Sequence, residues 1–113
     1  MVVVVQALLV LARAPRGMAT SAEIADALGI HPVVVRRSLA ALRAEGIVES
    51  RPGPTGGWAI ARDPARITLG GIHRLLVGER AVVAPPSLGE ALADAEDAYL
   101  ARLDRVTLAS LLG

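Results

Sequence analysis

The apolar positions of this chain fall into short periodic blocks separated by glycine, proline and hydroxyl residues, and each block sets an expected element. From Val2 to Arg13 the run is almost wholly apolar, with Gln6 as its polar interruption. Its valines would suit a strand, but the run outlasts most strands and stops at Pro15 and Gly17, which favours a helix. Thr20-Ser21-Ala22-Glu23 is a capping-box signature, in which a hydroxyl caps the helix N-terminus and a glutamate reaches back three residues. The helix it opens carries Ile24, Ala25 and Leu28 on one face, and Gly29 closes it because glycine takes the left-handed conformation readily. After Ile30-His31, Pro32 fits the first position of a further helix, where its missing N–H costs nothing. Val35, Leu39 and Leu42, spaced four and three, form its buried stripe. Arg36, Arg37, Ala40 and Arg43 fall on the other faces, and Gly46 ends it.

The period then changes. Ile47 to Arg51 reads as a short strand, Pro52-Gly53-Pro54-Thr55-Gly56-Gly57 as a turn-rich loop, and Trp58 to Ala61 as the returning strand of a hairpin. Thr68 caps a fourth helix that runs through Ile72, Leu75 and Leu76 to Gly78. Arg80 to Pro86 is a linker. Ser87 with Glu90 makes a second capping box, and a long helix extends to about Arg105. Its apolar positions Leu88, Leu92, Ala95, Tyr99 and Leu103 are spaced four, three, four and four, close to a heptad seam. Thr107 caps a last turn over Leu108 to Leu112. The fold class expected is mostly α with a small β-hairpin: a winged helix-turn-helix followed by a long C-terminal helix.

Composition supports packed helices. Of 113 residues 53% are hydrophobic, yet Trp58 and Tyr99 are the only aromatics, so the interior must be built from Leu, Val, Ile and Ala. Net charge is only +1, but its distribution matters more. Residues 1–76 hold nine arginines against five acids, and residues 77–113 hold three against six. A basic front and an acidic tail fit a DNA-facing module followed by a part that does not touch DNA. The chain has no cysteine, which excludes disulfides, thiolate catalysis, cysteine zinc fingers and cysteine-ligated clusters. The apolar start is shorter than the roughly 20 residues of a bilayer span. It also lacks the basic beginning of a signal peptide, so a buried first helix and a cytoplasmic protein are expected.

Two helices joined through Gly29-Ile30-His31 and followed by a hairpin present the second helix for a major groove. Arg36 and Arg37 sit one turn into it, and arginine is the side chain best suited to bidentate contact with guanine. On an isolated helix the two would read as a solvated face; their place directly after the turn favours base contact. Thr20 and Ser21, at the preceding helix's N-terminus, suit a phosphate held by backbone N–H groups. His31 is read as a helix cap or phosphate contact, since His73 is too far along the chain to suggest a shared metal. The glycine-rich loop is followed by no Lys-Ser/Thr pair, so it reads as a hairpin tip and not as a nucleotide cradle.

The stretch Glu23 to Ile30 (EIADALGI), then Leu39 to Ser50 (LAALRAEGIVES), Pro54 to Arg62 (PTGGWAIAR) and Ile67-Thr68-Leu69 resembles the Rrf2 family of winged helix-turn-helix transcriptional regulators, the group of IscR, NsrR and CymR. The resemblance is good over residues 7–78, and Val106 to Leu112 also looks like the family's ending. It implies a homodimer held by the long helix on an inverted-repeat operator, with the DNA-binding domain over 1–78. Linker, dimerisation helix and C-terminal turn then occupy 79–113. Positions matching the base-reading residues are Val34, Arg36 and Arg37, with Val33 beside them; the matching wing runs from Arg51 to Gly57 and includes Thr55 and Gly56. The interface falls to Leu88, Leu92, Ala95, Tyr99 and Leu103.

Two departures follow. Members that sense iron, nitric oxide or redox state carry three cysteines in the segment matching Gly78 to Leu88; none is present here, so no cofactor is expected. The family's wing usually places Arg directly before Gly-Pro, whereas Pro52 stands there and Arg51 precedes it. A one-residue slip on a strand reverses the facing direction, which leaves Arg51 a phosphate contact instead of a minor-groove reader. By analogy an effector cavity would lie near Gly78 to Leu88, the effector itself being left open. The expected function is a dimeric, cluster-free DNA-binding regulator, a repressor before an activator. The rival is a winged helix used for protein–protein contact through its C-terminal helix. An enzyme is not expected, because the two histidines and the few acids form no catalytic spacing.

Overall fold

The computed structural model describes residues 2–77 and 86–113, and the side chains at 77, 86–89 and 92 lie outside that description. Three helices come first: α1 (Val2–Arg13), α2 (Ser21–Leu28) and α3 (Pro32–Ala44). The hairpin β1 (Val48–Arg51) and β2 (Gly57–Ile60) follows, then a short 3₁₀ turn (Pro64–Arg66) and helices α4 (Leu69–Val77), α5 (Pro86–Leu103) and α6 (Leu108–Leu111).

The local signals in the sequence act where they stand. Thr20 Oγ1 accepts from the Glu23 N–H at 3.1 Å, and Glu23 returns the bond to the Thr20 N–H at 3.4 Å. Gly29 turns left-handed at φ 68° and sends its N–H back to Ala25, ending α2. Pro32 opens α3. Thr68 Oγ1 accepts from the Gly71 N–H at 3.0 Å, and Thr107 forms a capping box with Ser110 at the start of α6. The second capping box expected, Ser87 with Glu90, rests on the Ser87 side chain, which lies outside the description. The seam at Leu88 and Leu92 and the segment 78–85 lie outside it too.

The core is aliphatic. Leu8 and Leu11 of α1, Ile24 of α2, and Val35, Leu39 and Leu42 of α3 are fully buried, together with Val48, Ile72 and Leu108. Every turn of the α3 stripe therefore points inward, which fixes that helix's rotation and leaves its opposite face outside. The strands pair antiparallel with Val48 opposite Ile60 and Arg51 opposite Gly57. Sequence periodicity misses a third partner. Ala19 pairs with Trp58 through two backbone bonds of 2.8 and 3.0 Å, so the link between α1 and α2 runs as an edge beside the hairpin. Gly57, at φ 151°, makes this approach feasible; a Cβ there would stand 2.8 Å from the Ala19 carbonyl oxygen.

The segment after α5 returns to the core that α1 to α4 share. Leu108 donates to the Ile67 carbonyl at 2.7 Å and Leu69 to the Val106 carbonyl at 2.9 Å, and the Leu108 side chain is 1% exposed within the core. Arg74 of α4 grips Asp104 through two bonds of 2.7 and 2.9 Å. Gly70 leaves room for this, since a Cβ there would overlap Asp104 Oδ1. The guanidinium's hydrogen bonds hold the Asp104 carboxyl below its usual range.

Candidate nucleic-acid interface

The exposed face of α3 is the centre of the site. Opposite the buried stripe it shows Arg36, Arg37, Ala41 and Ala44, with Val34 43% exposed near the N-terminal end and Val33 half-buried. Among the described residues the ion pairs are Arg16–Glu23, Arg51–Glu49 and Arg74–Asp104, so the charges of Arg36 and Arg37 stay uncommitted. Uncommitted guanidiniums beside an exposed valine offer donors for guanine and a methyl surface for thymine.

The N-terminus of α3 is capped by His31, whose Nδ1 accepts from the Val33 N–H at 3.1 Å. A neutral ring that accepts through Nδ1 carries its proton on Nε2, which here belongs to an exposed residue. The capping role read from sequence is the one observed, and a donor for phosphate is left over.

Trp58 joins the wing to both helices. Its indole N–H donates to Ser21 Oγ at 2.9 Å, at the start of α2. The Arg43 guanidinium of α3 lies 5.4 Å from the centroid of its ring and also donates to Ser50 Oγ of β1 at 3.0 Å. α2, α3 and the hairpin are thus tied at one residue that is 9% exposed. Ser21 keeps its own hydroxyl proton for an outside acceptor, since it serves Trp58 only as an acceptor. Neither Trp58 nor Arg43 stood among the site residues expected from sequence. The tryptophan was visible only as part of the Gly-Gly-aromatic run, and its partner lies 37 residues away.

The wing is tightly built at its base. Gly56 is buried, and a Cβ there would overlap the Arg51 carbonyl oxygen. That gives Gly56 a packing role in the turn, while Thr55 stands exposed at the tip. Arg51 is drawn along its own strand: Nη2 donates to Glu49 Oε1 at 2.8 Å and Nη1 lies 3.7 Å from Met18 Sδ.

On α5 the described side chains from Glu90 to Tyr99 are exposed, Ala95 among them, and Leu103 is half-buried. Tyr99 is 49% exposed and meets His73 of α4 edge-on, with centroids 5.2 Å apart. No helix among the described residues is long and apolar enough to cross a membrane.

Comparison with known proteins gives a consistent result. Residues 1–113 match the family profile described as "Rrf2: Iron-dependent Transcriptional regulator". The HTH-type transcriptional repressor NsrR of Streptomyces coelicolor is 30% identical over 101 residues, covering 80% of this chain and 68% of that protein. The structure of T. potens IscR superposes with a TM-score of 0.81 at 30% identity, covering 96% of this chain and 80% of the other. Staphylococcus aureus CymR gives 0.80 at 25% identity, covering 97% and 92%. The profile's description names iron, but the donor set here does not fit a thiolate-held centre. The sequence has no cysteine, and no group of three His, Asp or Glu side chains converges among the described residues.

Proposed function

The chain belongs to the Rrf2 family of transcriptional regulators, and on that premise we propose that it represses transcription by binding operator DNA as a homodimer, without an iron–sulfur cluster. The observation that carries the reading is the outward face of α3. Its angle is fixed by three buried residues and by the Trp58 junction, and it presents Arg36 and Arg37 with no internal partner among the described residues.

In this reading Arg36, Arg37 and Val34 meet base edges in the major groove, with Val33 at the helix entrance. His31, Thr20 and Ser21 hold phosphates on either side of them. Arg51, paired to Glu49, and Thr55 at the wing tip lie along the backbone, and Gly56 lets the turn come close. Residues 1–78 supply DNA contact and 79–113 supply pairing. The support for pairing is exposure. α5 meets α4 through Tyr99 on His73, but its described stretch from Glu90 to Tyr99, Ala95 of the seam included, is exposed. Pairing through α5 would cover Ala95, Tyr99 and Leu103, and it sets two recognition helices against an inverted repeat in the cytoplasm. The name of the Streptomyces coelicolor relative supports repression. The complete lack of thiols supports the absence of a cysteine-held cluster.

A gel-shift titration against the protein's own promoter region tests this. Binding should weaken steeply as salt rises, because phosphate contacts release counterions. Arg36→Ala is expected to cost about 1–3 kcal/mol and to relax preference at one operator position. Absence of any salt-sensitive duplex binding would refute the reading and favour a protein-docking winged helix.

A further inference from the structure

A cavity of about 850 Å³ opens between the C-terminal half of α1, the link to α2 and the face of α2, with no residue of α3 in its lining. Its floor is apolar: Leu9, Val10, Ala14 and Leu28 line it. These residues pack against the core yet stay only partly covered. Its rim is cationic, formed by Arg13 and Arg16. The acid on the rim, Glu23, is already engaged by Arg16 at 3.6 Å and by the Thr20 N–H. Arg13 takes part in none of the ion pairs among the described residues. The volume lies in the range of small-molecule sites, and an apolar floor with a few convergent polar groups is their usual make-up.

We propose that this cavity binds a small amphipathic monocarboxylate, its apolar body on Leu9, Val10 and Leu28 and its carboxylate on Arg13 and Arg16. The charge balance selects the class. The lining carries two guanidiniums against one carboxylate, and Arg13 is the guanidinium in no ion pair among the described residues, so an anionic head is attracted and a cationic one repelled. A neutral apolar ligand would gain no charge-assisted contact from the guanidiniums. Because the chain is a DNA-binding regulator in the reading above, the site's neighbours give the ligand a route to the operator. Met18 and Ala19 line the cavity, and they also touch Arg51 of the wing and pair with the backbone of Trp58. Glu23 lines it too and completes the cap at Thr20. A ligand that shifts Arg16 off Glu23 therefore acts on two contacts proposed for DNA, and linkage requires DNA to alter ligand affinity by the same factor.

Calorimetric titration of the full chain with 4-phenylbutyrate, with 4-phenylbutanol as the neutral counterpart, tests the assignment without DNA. Saturable binding of the acid is expected. The alcohol, and the acid on the exposed-site double variant Arg13→Gln/Arg16→Gln, should bind about tenfold more weakly or less, the loss of a charge-assisted contact. No saturable heat with the acid, or equal affinity for acid and alcohol, overturns the proposal. So does a double variant whose mass in sedimentation changes while its phenylbutyrate affinity does not, which would give the groove to a second copy. Gel shifts with and without phenylbutyrate separate the two readings. Ligand binding without duplex binding leaves the cavity standing and removes the regulator. Duplex binding without ligand binding does the reverse.

Discussion

Removing the indole N–H of Trp58 while keeping an aromatic ring measures how firmly the wing is joined to α2. Trp58→Phe deletes one hydrogen bond of 2.9 Å to Ser21 and two ring carbons from a residue that is 9% exposed. The bond contributes about 1 kcal/mol net, and two buried carbons about 1.6 kcal/mol at 0.8 for each. The expected loss is thus about 2–3 kcal/mol. Ser21→Ala keeps the ring and strands the indole N–H, for about 1–2 kcal/mol. The double variant should then cost less than the sum by about 1 kcal/mol, because the bond can be lost only once. Urea unfolding at fixed protein concentration, followed by far-UV circular dichroism, gives all four stabilities. Circular dichroism is needed because Trp58 is the chain's only tryptophan and fluorescence would change its reporter. Strictly additive losses would show that the indole and the hydroxyl are uncoupled, and the junction argument would fail.

Gly57→Ala places a Cβ against the Ala19 carbonyl at a left-handed φ, so the Ala19–Trp58 pairing should open and the amide protons of both residues should exchange faster. Leu108→Ala should destabilise the fold by about 2–5 kcal/mol in the same urea assay, because Leu108 is fully buried in the shared core. Asp104→Asn should lower the urea midpoint at neutral pH. That deficit should vanish in acid, since a carboxyl with a lowered pKa stabilises above its ordinary value of 3.8 and loses its effect as pH falls through the shifted one. A deficit that persists at low pH would mean that the charge of Asp104 is not what holds α4 to α5. Ala95→Asp should give monomers in sedimentation, and an unchanged mass would remove that face of α5 from the interface.

Local chemistry was legible because it is local. Thr20 with Glu23, Gly29, His31-Pro32 and Thr107 act within four residues of where they stand, so their roles follow from spacing alone. The α3 stripe was equally clear, since three apolar residues at helical spacing can be buried together in only one rotation. Single pairings across the chain were not legible. Ala19 makes one bridge, too short for any period, and the bonds of Trp58 to Ser21 and Arg74 to Asp104 join residues 37 and 30 apart. Gly56 was readable as a residue of the hairpin tip and of the wing. Only its burial beside the Arg51 carbonyl shows that packing claims it first.

The return of Val106 and Leu108 to Ile67 and Leu69 gives α4 and α5 the mechanics of a handle. An arm fixed at one foot can swing while the body it leaves stays still. A handle whose two feet are bonded to each other, one of them a fully buried leucine, passes a swing to its base. Load applied along α5 reaches the core through Leu69 and Leu108 together, and through the Arg74–Asp104 brace near them. Leu108 shares that core with Leu8 of α1 and Leu39 of α3, so the load arrives on the side chains that set the pitch of the recognition helix.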